Sequence, residues 1–241
     1  MKEKMLNDFQ ILTYEDPLVE LGVTTALNDA NFKFDTEEGK NNLIKLKDDL
    51  QVKKICYLKQ IHSDKIIIAN DDVVLDGQVE GDSLITSSVD TIIGVFTADC
   101  VPVLIWDSNK KVIAAVHSGW KGTFDSIVKK TIEVMIKDFN CESSSIKVFI
   151  GPHIRQCCYE VSEELIDKFK KNNLYKEEDI NNGRFLNLEK CIEVQLKYLG
   201  INEDNIIKSG SCTLCEKNIK LHSYRKDGEH SGRMFTYIYF K

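Results

Sequence analysis

The amino-acid sequence predicts an α+β fold in which β-sheets are covered by helices, and three observations carry that expectation. Several short runs are rich in β-branched and aromatic residues, and a few longer stretches repeat apolar residues at helical spacing. The two kinds of segment do not follow the strand–helix–strand alternation of a parallel α/β protein.

In chain order, residues 18–25 (LVELGVTT) read as a strand. Residues 37–50 set Leu43, Leu46 and Leu50 among charges, the pattern of an amphipathic helix. Strands are expected at 54–59 (KICYLK) and 64–69 (DKIIIA), joined through Gln60, Ile61 and His62. The acidic, glycine-containing stretch 71–82 reads as an exposed loop. Three further strands follow at 91–97 (TIIGVFT), 102–106 (PVLIW) and 111–116 (KVIAAV). Asp-Ser-Asn-Lys between the last two is a hairpin turn. Thr-Ala-Asp-Cys between the first two is polar and reactive. Beyond His117, Ser-Gly-Trp-Lys-Gly leads into a helix predicted over 123–139, with Phe124, Ile127, Val128, Ile132, Met135 and Ile136 on one side. A strand at 146–150, helices at 161–171 and 188–199, and a β-rich stretch at 233–240 complete the chain.

Composition narrows the function classes. With 241 residues, three prolines and no low-complexity stretch, the expectation is one domain spanning 1–241. The net charge of -6, with no clustered Lys/Arg block, sets nucleic acid aside as a partner. No apolar run approaches the ~18 residues of a membrane span. The N-terminal MKEKMLNDFQ lacks the apolar middle of a signal peptide, so a cytoplasmic location is expected. There the eight scattered cysteines are reduced thiols, available as core residues, ligands or nucleophiles.

Three polar residues each end an apolar run, where a rigid element can aim them into a cleft: His62, Cys100 and His117. Two imidazoles and a thiolate form a three-ligand zinc set that keeps a fourth position for water or substrate. Their spacing fits no short zinc-finger template, and singly His62 is more often a surface histidine and Cys100 a small buried hydrophobe. A thiol hydrolase is the competing chemistry, with Cys100 as nucleophile, His117 as base and Asp99 or Glu160 as orienting group.

The segments T97-A-D-C-V-P-V-L-I-W-D107 and V112-I-A-A-V-H-S-G-W-K-G122 resemble the signature of the YfiH/YlmD family of laccase-domain proteins. Gln60-Ile-His62-Ser, Gly81-Asp82-Ser-Leu-Ile-Thr86, Gly151-Pro-His-Ile-Arg-Gln-Cys-Cys-Tyr-Glu-Val161, Cys212-Thr213 and Ser223-Tyr-Arg225 extend the likeness in the family's order. The resemblance implies a mixed β-sandwich flanked by helices (αββα), with Zn2+ held by His62, Cys100 and His117. It implies phosphorolysis of purine nucleosides (adenosine, inosine, guanosine and methylthioadenosine) together with adenosine deamination. Phosphate needs cations, for which Lys121, with the helix N-terminus after it, and Arg225 are the candidates. Glu160 is a candidate proton carrier, and Cys157, Cys158 and Tyr159 line or support the site. The pair Cys212 and Cys215 forms the sole C-x-x-C, so a four-cysteine metal site lacks a second such pair and the two are read as structural.

The sequence departs from the family near its start. Leu21-Gly-Val-Thr-Thr-Ala26 stands where members commonly carry H-G-F-S-T-R, and Asn41-Asn42-Leu43 where an Asn-Arg pair is usual. Those missing arginines keep a third reading open, a binding protein of the same fold with reduced catalysis. The older reading, a copper-dependent polyphenol oxidase, asks for on the order of ten histidines, and the chain has five. Oligomeric state is left open.

Overall fold

A computed structural model describes residues 1–70 and 75–241. In chain order the strands are β1 (Lys2–Leu6), β2 (Phe9–Glu15), β3 (Val19–Thr24), β4 (Lys54–Lys59), β5 (Ile66–Ala69), β6 (Asp76–Glu80), β7 (Ser83–Thr86), β8 (Thr91–Thr97), β9 (Val101–Asp107), β10 (Val112–Ser118), β11 (Lys147–Ile150), β12 (Asn181–Asn182), β13 (Phe185–Leu186), β14 (Ile206–Lys208) and β15 (Met234–Phe240). The α-helices are α1 (Glu37–Asp49), α2 (Trp120–Phe124), α3 (Ile127–Phe139), α4 (Glu163–Lys171), α5 (Leu188–Tyr198) and α6 (Tyr224–Asp227).

A seven-stranded sheet runs β1-β2-β3-β15-β8-β4-β6 and a six-stranded sheet runs β14-β11-β9-β10-β7-β5. Both are mixed: β4 lies parallel to β6 and β8, and β11 parallel to β14, amid antiparallel neighbours. Leu21, Val23, Ile93 and Ile238 of the first sheet meet Leu104, Trp106, Ile113 and Phe149 of the second in a shared core. The two-residue alternation of a strand sends Val103 and Ile105 to the opposite face. There they pack with Val128, Ile132 and Met135 of α3, Phe169 of α4 and Ile192 of α5. Leu43 and Leu46 of α1 cover Phe96, Phe235 and Tyr237 on the outer face of the larger sheet. The layers are therefore helix, sheet, sheet, helix. Strands covered on both faces explain why β8, β9 and β10 are apolar without alternation.

Local signals fix the helix ends. Thr36 Oγ1 accepts the Gly39 N–H at 3.0 Å to start α1, and Ser162 and Asn187 cap α4 and α5 in the same way. The single helix expected over 123–139 is instead broken, because Ser126 adopts φ +62° between α2 and α3. The stretch expected to be an exposed loop at 71–82 needs correction too. Residues 71–74 lie outside the described residues, while Asp76–Glu80 forms an edge strand beside β4. Its side chains are mostly exposed, so no apolar pattern marks it. The exposed strand β1 escaped sequence reading for the same reason. The expected last strand, β15, pairs with both β3 and β8 in the centre of the larger sheet.

Candidate functional site

The chain passes from one sheet to the other between β8 and β9, and this crossing brings Cys100 to one end of the sandwich. His62 arrives there in the turn after β4, and His117 from near the end of β10. Both crossings are held in unusual backbone conformations: His62 has φ +57° and Asp99 φ +89°. A side-chain-bearing residue in this region costs about 1 kcal/mol or more, which the surrounding contacts offset. Gln60 anchors the His62 turn, its amide donating to Phe96 O at 2.8 Å and accepting the Phe96 N–H at 2.7 Å. The side chain thus continues the β4–β8 ladder after its backbone leaves it.

One donor atom from each of His62, Cys100 and His117 lies within 4.8 Å of the others. His62 Nε2 is 3.9 Å from Cys100 Sγ, and the two imidazoles stand at 83° with centroids 4.8 Å apart. Tetrahedral zinc bonds of about 2.0–2.3 Å separate ligand atoms by about 3.3–3.8 Å, so slight closure brings all three onto one ion. Gly119 permits this approach. A Cβ there would lie 3.0 Å from Cys100 Sγ and 3.1 Å from His62 Cδ2.

Behind the donors sits Asp82, fully buried and not assigned a role from sequence. Its Oδ1 lies 2.8 Å from His117 Nδ1 and accepts the His62 N–H at 3.0 Å. Its Oδ2 accepts the Ser63 N–H and hydroxyl, each at 2.7 Å. A carboxylate on Nδ1 leaves His117 Nε2 as the free donor, the arrangement that orients a metal-binding histidine. The spacing between Asp82 and His117 hides this partnership from sequence.

The site is also tuned electrostatically. Burial opposes ionisation of the Cys100 thiol, yet the His117 charge and hydrogen bonds from both histidines bring its pKa down to about 6. Burial likewise opposes charge on His117, but the Cys100 thiolate and Asp82 raise its pKa to about 9. Both shifts favour a thiolate beside an imidazolium. Burial opposes charge on Asp82 as well, and His117 and Ser63 nevertheless hold its carboxyl below the usual range.

The three donors face a cavity of about 710 Å³ whose wall also includes Phe34, Phe96, Trp120 and Tyr159. That volume lies within the range of small-molecule sites. Arg225, expected from sequence, lines it, together with Lys33 and Arg233, which sequence reading missed. Asp99 positions the Arg225 segment: its carboxylate accepts the Arg225 N–H at 2.6 Å and the Thr213 hydroxyl at 2.5 Å. The Arg225 guanidinium donates to Glu160 O at 2.9 Å and lies 5.5 Å from the Tyr159 ring centroid.

Two expected substrate contacts are elsewhere. Lys121 is exposed, sits beside the Trp120 ring and is absent from the cavity wall. Lys121 lies inside the five-residue α2 rather than ahead of a long helix. The Glu160 carboxylate turns outward to Arg184 at 3.3 Å, and only its carbonyl reaches Arg225. Cys157 and Cys158 also leave the cavity wall, where Tyr159 remains; they gather with Cys212 and Cys215 instead.

Among the described residues, no helix is long and apolar enough to cross a membrane. Residues 20–241 match a family model described as multi-copper polyphenol oxidoreductase laccase. A Clostridium acetobutylicum protein named purine nucleoside phosphorylase is 47% identical over 238 residues, covering 99% of each chain. A protein named adenosine deaminase RL5, from an unknown prokaryotic organism, is 33% identical over 76% of this chain and 74% of its own. Among solved structures, the Bacillus licheniformis hypothetical protein YfiH superposes with a TM-score of 0.84 at 27% identity, over 92% of this chain and 93% of that one. Fold, motifs and sequence agree: the chain belongs to the laccase-domain family of YfiH.

Proposed function

We propose that this protein is a zinc-dependent purine nucleoside phosphorylase that also deaminates adenosine. The observation that carries the reading is the convergence of His62, Cys100 and His117 on one wall of a cavity of about 710 Å³, backed by Asp82. Relatives named purine nucleoside phosphorylase and adenosine deaminase support the choice of substrate.

The donor set suits zinc: two imidazoles and a low-pKa thiolate, with one carboxylate fixing a tautomer. Bound there, zinc would supply a Lewis acid and an acidified water at neutral pH. The chain's own residues supply the rest. Phe34, Phe96, Trp120 and Tyr159 give the cavity apolar faces on which a purine can lie. Lys33, Arg225 and Arg233 give it cationic groups for phosphate, compensating for the arginines missing near the N-terminus. We assign the phosphate side to these three rather than to Lys121. Burial and the nearby Cys100 push the Tyr159 phenol up, so it stays protonated as a hydrogen-bond donor to substrate.

The test is a panel of nucleosides incubated with metal-quantified protein, with and without phosphate, and resolved by chromatography. The reading expects hypoxanthine from inosine only when phosphate is present, and inosine from adenosine. Oxidation of phenols without release of any base overturns it. One observation favours a second reading: the ionised Cys100 beside His117 also suits a thiol nucleophile. A covalent adduct on Cys100, with turnover surviving chelation, selects that alternative.

A further inference from the structure

Outside the cavity, Cys157 and Cys158 on the loop after β11 meet Cys212 and Cys215 on the loop before α6. The two segments lie far apart in sequence. An isolated β-bridge between His153 and Cys212 and the Thr213 N–H donated to His153 O at 3.0 Å bring them together. One sulfur from each cysteine lies within 4.8 Å of the other three. Cys157 Sγ is 3.7 Å from Cys215 Sγ. A tetrahedron of thiolates with metal–sulfur bonds of about 2.3 Å has edges of about 3.8 Å, so this pair already stands at the separation of two ligands on one ion.

The backbone also orients the first sulfur of the C-x-x-C: Cys212 Sγ accepts the Arg155 N–H at 3.5 Å, which ties it to the segment carrying Cys157 and Cys158. Cys212 is buried, Cys158 half-buried, and Cys157 and Cys215 exposed, so an ion can enter from the solvent side.

We propose that Cys157, Cys158, Cys212 and Cys215 form a second, structural site for a thiophilic divalent ion such as Zn2+, distinct from the open site of the cavity. On binding, each thiol yields its proton to solvent and each sulfur forms a bond to the ion, with no change of oxidation state. Four protein ligands close the coordination sphere, which marks a site that stabilises rather than reacts. The expectation that Cys212 and Cys215 lack partners is corrected by the fold, which supplies an adjacent pair in place of a second C-x-x-C. What the ion would fix is the cavity's cationic wall, since Tyr159 adjoins Cys158 and Thr213 joins Asp99, the residue that holds Arg225.

The test uses the full chain, purified under reducing conditions without chelator. Elemental analysis should find two zinc ions per chain in the unmodified protein, and one in either His62→Ala or the double variant Cys157→Ser/Cys215→Ser. In His62→Ala loaded with Co2+, the near-ultraviolet spectrum should carry thiolate-to-metal bands of a four-sulfur site, absent when Cys157→Ser/Cys215→Ser are added. This spectrum remains informative if the serine variant folds poorly, because it is read first on a chain with all four thiols. A His62→Ala protein that binds neither Zn2+ nor Co2+ while its thiols are reduced overturns the proposal. So does zinc content unaltered in a folded serine variant. Neither result depends on whether the cavity acts on nucleosides.

Discussion

Asp82 Oδ1 lies 2.8 Å from His117 Nδ1, and the same oxygen accepts the backbone N–H of His62 at 3.0 Å. One carboxylate therefore orients both imidazoles of the proposed centre, one through its ring and the other through its main chain. Replacing it tests the arrangement without removing a ligand. Asp82→Asn keeps the shape and loses the charge that fixes the His117 tautomer. Zinc affinity at the cavity site should fall about 10- to 100-fold in competition with a chromophoric chelator. Affinity unchanged in a folded Asp82→Asn protein removes this role.

The cavity wall and the surface lysine make opposite predictions for phosphate. Arg225→Ala should raise the phosphate KM about tenfold or more, corresponding to ~1.4 kcal/mol, and the inosine KM less. Lys121→Ala should leave the phosphate KM within about twofold, because an exposed charge away from the cavity is screened by solvent. Steady-state kinetics at varied phosphate decides between them, and the reverse order restores Lys121 as the phosphate contact.

Metal binding should carry a proton signature. At pH 7.5 Cys100, with its pKa lowered to about 6, is already ionised, whereas His117, raised to about 9, holds a proton that a metal must displace. Zinc binding at that pH should expel about one proton from this pair. Release should rise as pH falls through 6, where Cys100 also protonates, and vanish above 9. Affinity accordingly weakens on acidification. Calorimetry in buffers of different ionisation enthalpy measures this. The Cys157→Ser/Cys215→Ser variant confines the reading to the cavity. A buffer-independent heat at pH 7.5 contradicts the thiolate–imidazolium resting state.

The ends of apolar runs marked His62, Cys100 and His117 in the sequence because rigid strands carry those side chains to one end of the sandwich. The strands themselves were readable where both faces are buried, as in β8, β9 and β10. They were not readable in the exposed edges β1 and β6, which satisfy their backbones without any apolar pattern. The break at Ser126 was hidden because the apolar spacing continues through it. Asp82, Lys33 and Arg233 owe their places to tertiary approach, and no local spacing announces them. The four-cysteine cluster is the clearest case, since a vicinal pair meets a C-x-x-C only after the chain has folded.

On the proposed function, two imidazoles and a thiolate share one catalytic zinc, and one measurement decides it: bound zinc and phosphate-dependent hypoxanthine release from inosine determined together in His62→Ala and His117→Ala, with folding checked by circular dichroism. Counted against the unmodified chain, each variant should lose one zinc ion and at least about 100-fold in kcat/KM. A folded His62→Ala/His117→Ala protein that lacks zinc in the cavity and still cleaves inosine at the original rate rules out a catalytic zinc at this site.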